Sequence, residues 1–432
     1  MSNADRPIFL DHHSTTPVHP RVLQAMLPYF TEKFGNAASI NHVYGTEAAE
    51  AVATARRQVA ALIGADEREI VFTSGATEAN NLALKGVLGA TGGSSASASR
   101  VDRTGRQAAR GTRPGDGAHL ITTAAEHRAV LDPAKRLARS GFDVTILPVD
   151  EFGQVDAGDV RDALKPTTVL VSIMAANNEV GSLNPIHDIG RLCRERGVLF
   201  HTDAVQSAGW LPDPFEVTGF SRSMDRQAMF NSRPAEAGHY ERNVDLLSLS
   251  AHKIYGPKGV GALFVRRGSP RIPIEPLVDG GGHERRLRSG TLPVPLIVGF
   301  GEACRLMLEV REAESTRLRE LRDRLWNGLR ERLDGLHLNG HPTERLPHNL
   351  NVSFEGVDGE ALMTGLRRIA VSSGSACTSA DPEPSHVLRA MGRDDQLTRA
   401  SLRFGLGLST TAAEVDVAID EVSSVVGRLR RL

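Results

Sequence analysis

The chain has 432 residues, of which 40% are hydrophobic and 24% charged, as is typical of soluble globular proteins with two or three domains. Its 51 basic and 52 acidic residues leave a formal net charge of -1, which argues against a nucleic-acid-binding protein with a strongly basic surface. No apolar run is long enough to span a membrane, and the N-terminus lacks the apolar segment of a signal peptide. The three cysteines form no Cys-x-x-Cys pair, so we expect a cytoplasmic protein without structural zinc or disulfides.

Short apolar segments alternate with amphipathic ones over the first two thirds of the chain. The apolar segments predict strands at residues 69–73, 119–122, 168–174, 198–201 and 245–249. The amphipathic segments, such as residues 47–63 and 185–196, predict helices between them. This alternation indicates an α/β fold with a large, mostly parallel sheet, and ligands of such sheets bind beyond the carboxyl ends of the strands.

The pattern changes at about residue 294, where a long charged helical segment begins. A strand at 349–354 and further helices follow it, which predicts a smaller α+β domain. We assign residues 16–293 to a large cofactor-binding domain. Residues 1–15 together with 294–432 form the predicted small domain.

Two polar segments, near residues 91–117 and 217–243, interrupt the alternation and are interpreted as insertions. The first is rich in glycine, serine and arginine and has little apolar surface to bury, so it is expected to be a disordered surface loop. A patch for nucleic acid or an acidic partner is the alternative for this segment.

The segment TSGATEANN, at residues 73–81, is the first with a chemical signature. A strand, a glycine turn and a helix that begins near Ala76 follow one another there. The free backbone N–H groups at a helix start bind anions such as phosphate, and Thr77 adds a hydroxyl group. An ordinary capped helix, with Glu78 in its first turn, is the alternative explanation of this segment.

Two further polar segments follow predicted strands. Asp203, in HTDAVQ, lies where a carboxylate can keep a pyridinium nitrogen protonated, although a helix N-cap is the alternative role. Gln206, three residues on, can bond the phenolic oxygen of such a ring. Lys253, in SLSAHKIYGPKG, lies in the predicted ligand crevice, where a desolvated amine can bond to a carbonyl cofactor, whereas Lys258 is interpreted as structural.

The cysteines differ in their neighbours. Cys377 lies in SSGSACTSA, among small residues that suit a mobile, exposed nucleophile. Cys193 and Cys304 lie in helical segments, so they are predicted to be buried and inert.

Taken together, these segments resemble the cysteine desulfurases of the class V aminotransferase superfamily, from about residue 8 to residue 429 outside the two insertions. The shared segments are FLDHHSTTPVHPRV, FGNAAS, EIVFTSGATEANNLALKG, NNEVG, HTDAVQS, SAHKIYGPKG, GGGHERRLRSGTLP and VSSGSACTSA. The long serine-rich segment around Cys377 resembles the housekeeping iron–sulfur-cluster group. The resemblance implies a pyridoxal-phosphate-dependent transferase fold of type I, pyridoxal 5'-phosphate as cofactor and L-cysteine as substrate.

The resemblance also implies a role for each site residue. Lys253 would bind the cofactor covalently, and Cys377 would receive the sulfur as a persulfide for transfer to a scaffold or sulfur-carrier protein. His127 would stack on the pyridine ring and take part in proton transfer, Asp203 would pair with the ring nitrogen, and Gln206 would contact the phenolic oxygen. The implied phosphate ligands are Ala76, Thr77, Ser250, His252 and, from the neighbouring subunit of a homodimer, Thr291. The residues implied to bind the cofactor or the substrate carboxylate are Asn36, Asn178 and Arg403.

A selenocysteine lyase or another class V aminotransferase is the alternative function. Cys377 distinguishes a desulfurase from an aminotransferase, because transamination needs no nucleophilic thiol at that position. A catalytically inactive sulfur carrier with the same fold is disfavoured, because Lys253, Asp203, His127 and Cys377 are all present.

Overall fold

The computed structural model describes residues 6–92, 117–211, 243–373 and 384–431. Cys377 and nearly all of both predicted insertions lie outside these residues. The described helices are α1 (Pro20–Met26), α2 (Pro28–Thr31), α3 (Val43–Leu62), α4 (Ala76–Gly92), α5 (Arg128–Arg139), α6 (Ala157–Ala163), α7 (Ile186–Glu195), α8 (Val294–Arg332), α9 (Gly359–Gly365), α10 (His386–Ala390), α11 (Asp395–Arg399) and α12 (Ala412–Leu429). The described strands are β1 (Ile8–Phe9), β2 (Ile70–Thr73), β3 (His119–Thr123), β4 (Asp143–Leu147), β5 (Thr168–Ser172), β6 (Leu199–Asp203), β7 (Leu246–Ser250), β8 (Gly261–Val265), β9 (Leu336–Asn339), β10 (Asn349–Phe354), β11 (Ile369–Ala370) and β12 (Ser401–Gly405).

Seven strands form the large sheet, in the order β2-β8-β7-β6-β5-β3-β4. β8 is antiparallel to both of its neighbours, and the other adjacent pairs are parallel. Consequently β2 runs in the same direction as β7, and the carboxyl ends of six strands meet at one edge of the sheet. That edge is where a ligand of a parallel α/β sheet is expected.

Helices cover both faces of this sheet, which explains why its central strands read as continuous apolar runs. Alternate residues of one strand enter different apolar clusters. Val71 packs with Leu82 of α4 and Val130 of α5. Phe72 packs in the cluster on the other face, together with Val52 of α3.

The predicted strands of the large sheet are present, with ends that differ by one or two residues. A difference of two residues lies at β5, which was expected to extend to residue 174 and ends at Ser172. Beyond it, the backbone N–H of Met174 donates to Glu126 Oε1 at 2.7 Å, so a side chain replaces the neighbouring strand as its partner. The antiparallel strand β8 did not stand out in the sequence.

The remaining strands form two smaller sheets. β10 lies between β9 and β12 in an antiparallel sheet, and its bounds match the strand predicted at residues 349–354. β1 pairs in parallel with β11, so the start of the described chain lies beside a strand near its end. In the described part of the chain, no helix has the length and apolar character that crossing a membrane requires.

Candidate active site

The register of three strands sets the position of the helix start at α4. Gly261 of β8 pairs with both Thr73 of β2 and Ser250 of β7. A Cβ on Gly261 would lie 2.7 Å from Gly75 Cα, so only glycine lets the turn before α4 pass so close to the sheet. The free N–H groups at the start of α4 therefore lie next to the carboxyl end of β7.

Lys253 lies in a single 3-10 turn, Ala251–Lys253, directly after β7. Its Nζ donates to the backbone oxygens of His13, at 2.5 Å, and Ser14, at 2.7 Å. In the same turn, burial and the charge of Lys253 lower the pKa of His252 to about 4, and the His252 Nδ1 lies 3.1 Å from Thr15 Oγ1. The N-terminal segment thus forms one wall of the lysine site.

Asp203 ends β6, the strand beside β7, and is 6% exposed. Its Oδ2 accepts from Asn80 Nδ2 at 2.7 Å, and its Oδ1 accepts from the backbone N–H of Val205 at 3.1 Å. Glu126 is a second buried carboxyl group near Asp203. Burial raises the pKa of Glu126 well above its ordinary value, and the charge of Asp203 raises it further.

Gln206 is held at both ends of its amide by His13. The Gln206 Oε1 lies 3.0 Å from His13 Nδ1, and the Gln206 Nε2 donates to the His13 backbone oxygen at 3.1 Å. The His13 ring stacks on that of His348, with ring centroids 4.4 Å apart. The His13 backbone oxygen also accepts a hydrogen bond from Lys253. Gln206, predicted to contact the phenolic oxygen, and Lys253, predicted to bind the aldehyde carbon, are therefore both bonded to the same backbone oxygen.

His127 is the N-cap of α5, and its Nδ1 accepts from the backbone N–H of Ala129 at 3.0 Å. Because that nitrogen is an acceptor, the neutral ring carries its proton on Nε2. His127 and Thr77 both line a cleft of about 440 Å³, to which Lys85 and Arg136 also contribute. The structure thus brings together the predicted stacking residue and a predicted phosphate ligand from different helices.

Arg403 lies on β12 and is 2% exposed. Its guanidinium donates to Asp11 Oδ1 at 2.8 Å and to the backbone oxygen of Asn178 at 2.9 Å. Nearby, Glu179 accepts a hydrogen bond from Ser385, and burial raises the pKa of Glu179 to about 7. Arg403 and Asn178, which were both expected at the substrate, are therefore neighbours.

Several polar atoms of this group are buried and have no hydrogen-bond partner among the described residues: Asn80 Oδ1, Asn178 Oδ1, Arg403 Nε and His13 Nε2. Buried polar atoms in native proteins are normally paired, so these atoms are consistent with a polar ligand. The donor set also suits pyridoxal phosphate, because it includes an amine, a carboxylate and a helix start.

The other predicted site residues are less connected. Asn36 and Thr291 are exposed, and Asn36 Oδ1 accepts from the backbone N–H of Ala38. Cys377 lies outside the described residues. Cys193 and Cys304 are buried as expected, and burial raises the pKa of Cys193 to about 12 and that of Cys304 well above its ordinary value.

Sequence reasoning overlooked four residues of this group: His13, Asn80, Glu126 and Glu179. His13 and Asn80 lie within the family-like segments FLDHHSTTPVHPRV and TSGATEANN, which was the available signal. Glu126 directly precedes His127. Their roles depend on contacts across the fold, such as the 193-residue separation between His13 and Gln206.

The arrangement is that of an α/β enzyme whose lysine can bind a carbonyl cofactor against a carboxylate on the next strand. The chain belongs to the aminotransferase class-V family, which matches residues 8–98, 105–217 and 225–417. This membership and the structural neighbours confirm the predicted type I fold. Enzymes of this family depend on pyridoxal phosphate.

Within the family, the chain is similar to cysteine desulfurases. It is 50% identical to "Cysteine desulfurase IscS" of Anaeromyxobacter dehalogenans (strain 2CP-C), covering 99% of this chain and 94% of the relative. It is 48% identical to the protein of that name from Pectobacterium carotovorum subsp. carotovorum (strain PC1), with the same coverage. Among solved structures, a "NIFS-LIKE PROTEIN" has a TM-score of 0.80 at 34% identity and covers 98% of this chain and 100% of that one. "SspA in complex with cysteine" has a TM-score of 0.71 at 34% identity and covers 92% and 98%.

Proposed function

We propose that this chain is a pyridoxal-phosphate-dependent cysteine desulfurase, which converts L-cysteine to L-alanine and keeps the sulfur as a persulfide on Cys377. The observation that carries the proposal is the placement of Asp203 at the end of β6 and of Lys253 in the turn that follows the adjacent parallel strand β7. Relatives at about 50% identity over nearly the whole chain bear this name. A scaffold or sulfur-carrier protein of the cytoplasm is the proposed acceptor of the sulfur.

The chain has a residue for each part of the cofactor. Lys253 would hold its aldehyde carbon, Asp203 its ring nitrogen, Gln206 its phenolic oxygen and His127 one face of its ring. The phosphate would meet the start of α4, with further ligands in Ala76, Thr77, Ser250 and His252. When bound, the cofactor supplies an electron sink that acidifies the α-carbon of an amino acid.

The side chains around the cofactor would do the remaining work. Arg403, Asn178 and Asn36 would bind the substrate carboxylate, for which the planar guanidinium of arginine is well suited. Lys253 and His127 would move the α-proton. The Cys377 thiolate would attack the substrate sulfur, so that the S–S bond forms as the C–S bond breaks. The carbon left behind takes up a proton, and alanine leaves.

The reaction is tested by incubating the loaded protein with L-cysteine and a reductant, and measuring alanine and sulfide together. Both should appear in equal amounts. Cys377→Ser should abolish both while leaving the cysteine-dependent spectral change, because serine is not ionised near neutral pH. Cys193→Ser is the matched control and should retain turnover, since that thiol is buried. Turnover by Cys377→Ser at the parent rate would instead favour an aminotransferase or lyase.

The cofactor lysine is tested separately. Borohydride reduction followed by peptide mapping should find the pyridoxyl group on Lys253. Lys258, five residues later, is the internal control. A label on Lys258, or no label, would refute the assignment of Lys253.

The same proposal includes a homodimer, in which Thr291 reaches the phosphate site of the second copy. Its support is an apolar surface on residues 23–44, where seven large side chains are 47–79% exposed: Leu23, Leu27, Phe30, Phe34, Ile40, Val43 and Tyr44. Monomeric proteins rarely expose so many large apolar groups together. A second copy of the chain is the occupant we propose for this surface.

The assignment of residues 16–293 to a large domain, and of residues 1–15 with 294–432 to a small one, stays a prediction.

A further inference from the structure

His13 determines which way round the Gln206 amide lies. The backbone oxygen of His13 can only accept, so the group that contacts it at 3.1 Å is the Gln206 NH2. The Gln206 oxygen then faces His13 Nδ1 at 3.0 Å. An amide oxygen can only accept a hydrogen bond. His13 Nδ1 therefore carries a proton and donates it to Gln206 Oε1.

The surroundings of His13 support this tautomer. Burial, the charge of Arg403 and that of Lys253 lower the pKa of His13 to about 3, so the ring is neutral near pH 7 and has one N–H to place. The ring is held by stacking on His348, which in turn lies 4.3 Å from the Trp210 ring between centroids. His13 Nε2 is buried without a hydrogen-bond partner among the described residues, so a proton on that nitrogen would be a buried donor without an acceptor.

We propose that His13 is a positioning residue for Gln206, and that it directs the second N–H of the amide to the phenolic oxygen of pyridoxal phosphate. This inference rests on the proposed cofactor site. One Gln206 N–H is taken by the His13 backbone oxygen, and the other is left for the ligand. Without the His13 Nδ1–H, the Gln206 oxygen loses its donor and the amide is held by the His13 backbone oxygen alone, so its second N–H is directed less strictly at the phenolic oxygen.

The test is a spectroscopic pH titration of the cofactor-loaded protein, which reads the protonation of the chromophore rather than turnover. His13→Phe keeps an aromatic ring against His348 and keeps the backbone oxygen, but removes the N–H. A donor to the phenolic oxygen favours the deprotonated chromophore. Weakening this donor should therefore move the titration midpoint to higher pH by roughly 0.5–1 unit, a three- to tenfold increase in the proton affinity of the chromophore.

Three variants make the result specific. His13→Asn restores an amide donor close to the position of Nδ1 and should move the midpoint back towards that of the parent. His348→Phe is the matched control: it replaces a buried, stacked histidine in the same column of rings and should leave the midpoint unchanged. If His13→Phe does not fold, as judged by circular dichroism, His13→Ala takes its place with the same expected shift.

Gln206→Leu separates this inference from the proposal on which it rests. A shift in Gln206→Leu with none in His13→Phe would overturn the positioning role of His13 and leave the Gln206 assignment standing. An unchanged midpoint in Gln206→Leu, with the cofactor still bound, would overturn both. An equal shift in His348→Phe would also overturn the inference, because packing rather than the N–H would then be the cause.

Discussion

Asp203 and Glu126 are two buried carboxyl groups with opposite surroundings. Asp203 accepts a hydrogen bond on each oxygen, from Asn80 and from the backbone of Val205. Glu126 Oε2 has no partner among the described residues, and burial raises the pKa of that group. Pairs of titratable groups in contrasting environments take different roles, and here it is Glu126 whose raised pKa favours the neutral form.

This contrast predicts different outcomes for the same chemical change. Asp203→Asn removes the charge proposed to face the ring nitrogen, and alanine formation should fall by about 100-fold or more. Glu126→Gln replaces a group whose neutral form is favoured by burial, so its turnover should stay close to that of the parent. Initial rates of alanine formation at saturating cofactor measure both. Equal losses in the two variants would show that Asp203 acts through packing alone.

Glu179 should make stability depend on pH. Its pKa is raised from the ordinary value of 4.5 to about 7 by burial, so the folded state binds a proton that the unfolded state releases. The contribution to stability is fully present below about pH 4.5 and is lost as the pH rises to about 7. A shift of this size corresponds to about 3 kcal/mol.

We therefore expect the urea midpoint of the parent to fall between pH 5 and pH 8, and that of Glu179→Gln to fall less. Tryptophan fluorescence follows the unfolding. Glu360→Gln, at an exposed position on α9, is the control and should follow the parent. Parallel behaviour of the parent and Glu179→Gln would contradict the raised pKa of Glu179.

At the scale of elements, a buried ion pair ties the loop before α8 to the large sheet. Glu284 accepts from both terminal guanidinium nitrogens of Arg56, at 2.6 and 2.8 Å, and from the backbone N–H of Phe72 at 2.7 Å. Glu284, Arg285 and Arg286 all have positive φ, from 45° to 67°, in a region that costs residues with side chains roughly 1–2 kcal/mol each. The ion pair stabilises this strained turn, which precedes Thr291.

Glu284→Gln should destabilise the protein by about 3–5 kcal/mol, because it leaves the charge of Arg56 buried without a counter-ion. Urea unfolding with the cofactor bound measures the loss. Asp416→Asn is the matched control, since it breaks an ion pair with Arg324 that is about half exposed on both sides. Its effect should be far smaller, as exposed pairs contribute little. Comparable losses in both variants would mean that burial of the Glu284 pair is unimportant.

At the scale of the whole molecule, the apolar surface on residues 23–44 lies on α1, α2, the segment that leads into α3 and the first turn of α3. Phe34 is 65% exposed and lies 5.5 Å from the ring of Tyr44, between centroids. Burying such groups against a second copy would remove them from water, at about 25 cal/mol per Å² of apolar surface. The chain charge of -1 offers little long-range repulsion between copies.

Light scattering should give about twice the chain mass of 46.5 kDa. Phe30→Asp combined with Phe34→Asp should shift the protein to the mass of one chain, because each charge would be buried in the interface. Ile146→Asp is the control: it changes an apolar residue that is 39% exposed on the edge strand β4. A parent that is monomeric with full activity would rule out the dimer and the role of Thr291.

Much of the large sheet and two central site residues could be predicted from local sequence. Asp203 ends an apolar strand and Lys253 follows one, and a strand end is recognisable within a few residues. The strands β4 and β8 were not among those predicted. β8 pairs with the preceding strand β7 and with the distant strand β2, and the second pairing is not visible in the local sequence. The same limit applies to Glu126, whose contact with Met174 spans 48 residues.

By itself, the sequence determined the α/β class and the order of the family-like segments, and it provided the candidate residues for binding pyridoxal phosphate. Hydrophobic periodicity and residue chemistry are local properties, so they can be read without knowing the fold. Only the tertiary structure decided that His13 holds Gln206, that Glu126 lies beside Asp203 and that burial raises the pKa of Glu179. These depend on chain closure and on the removal of side chains from water, which bring together and desolvate groups that are far apart along the chain.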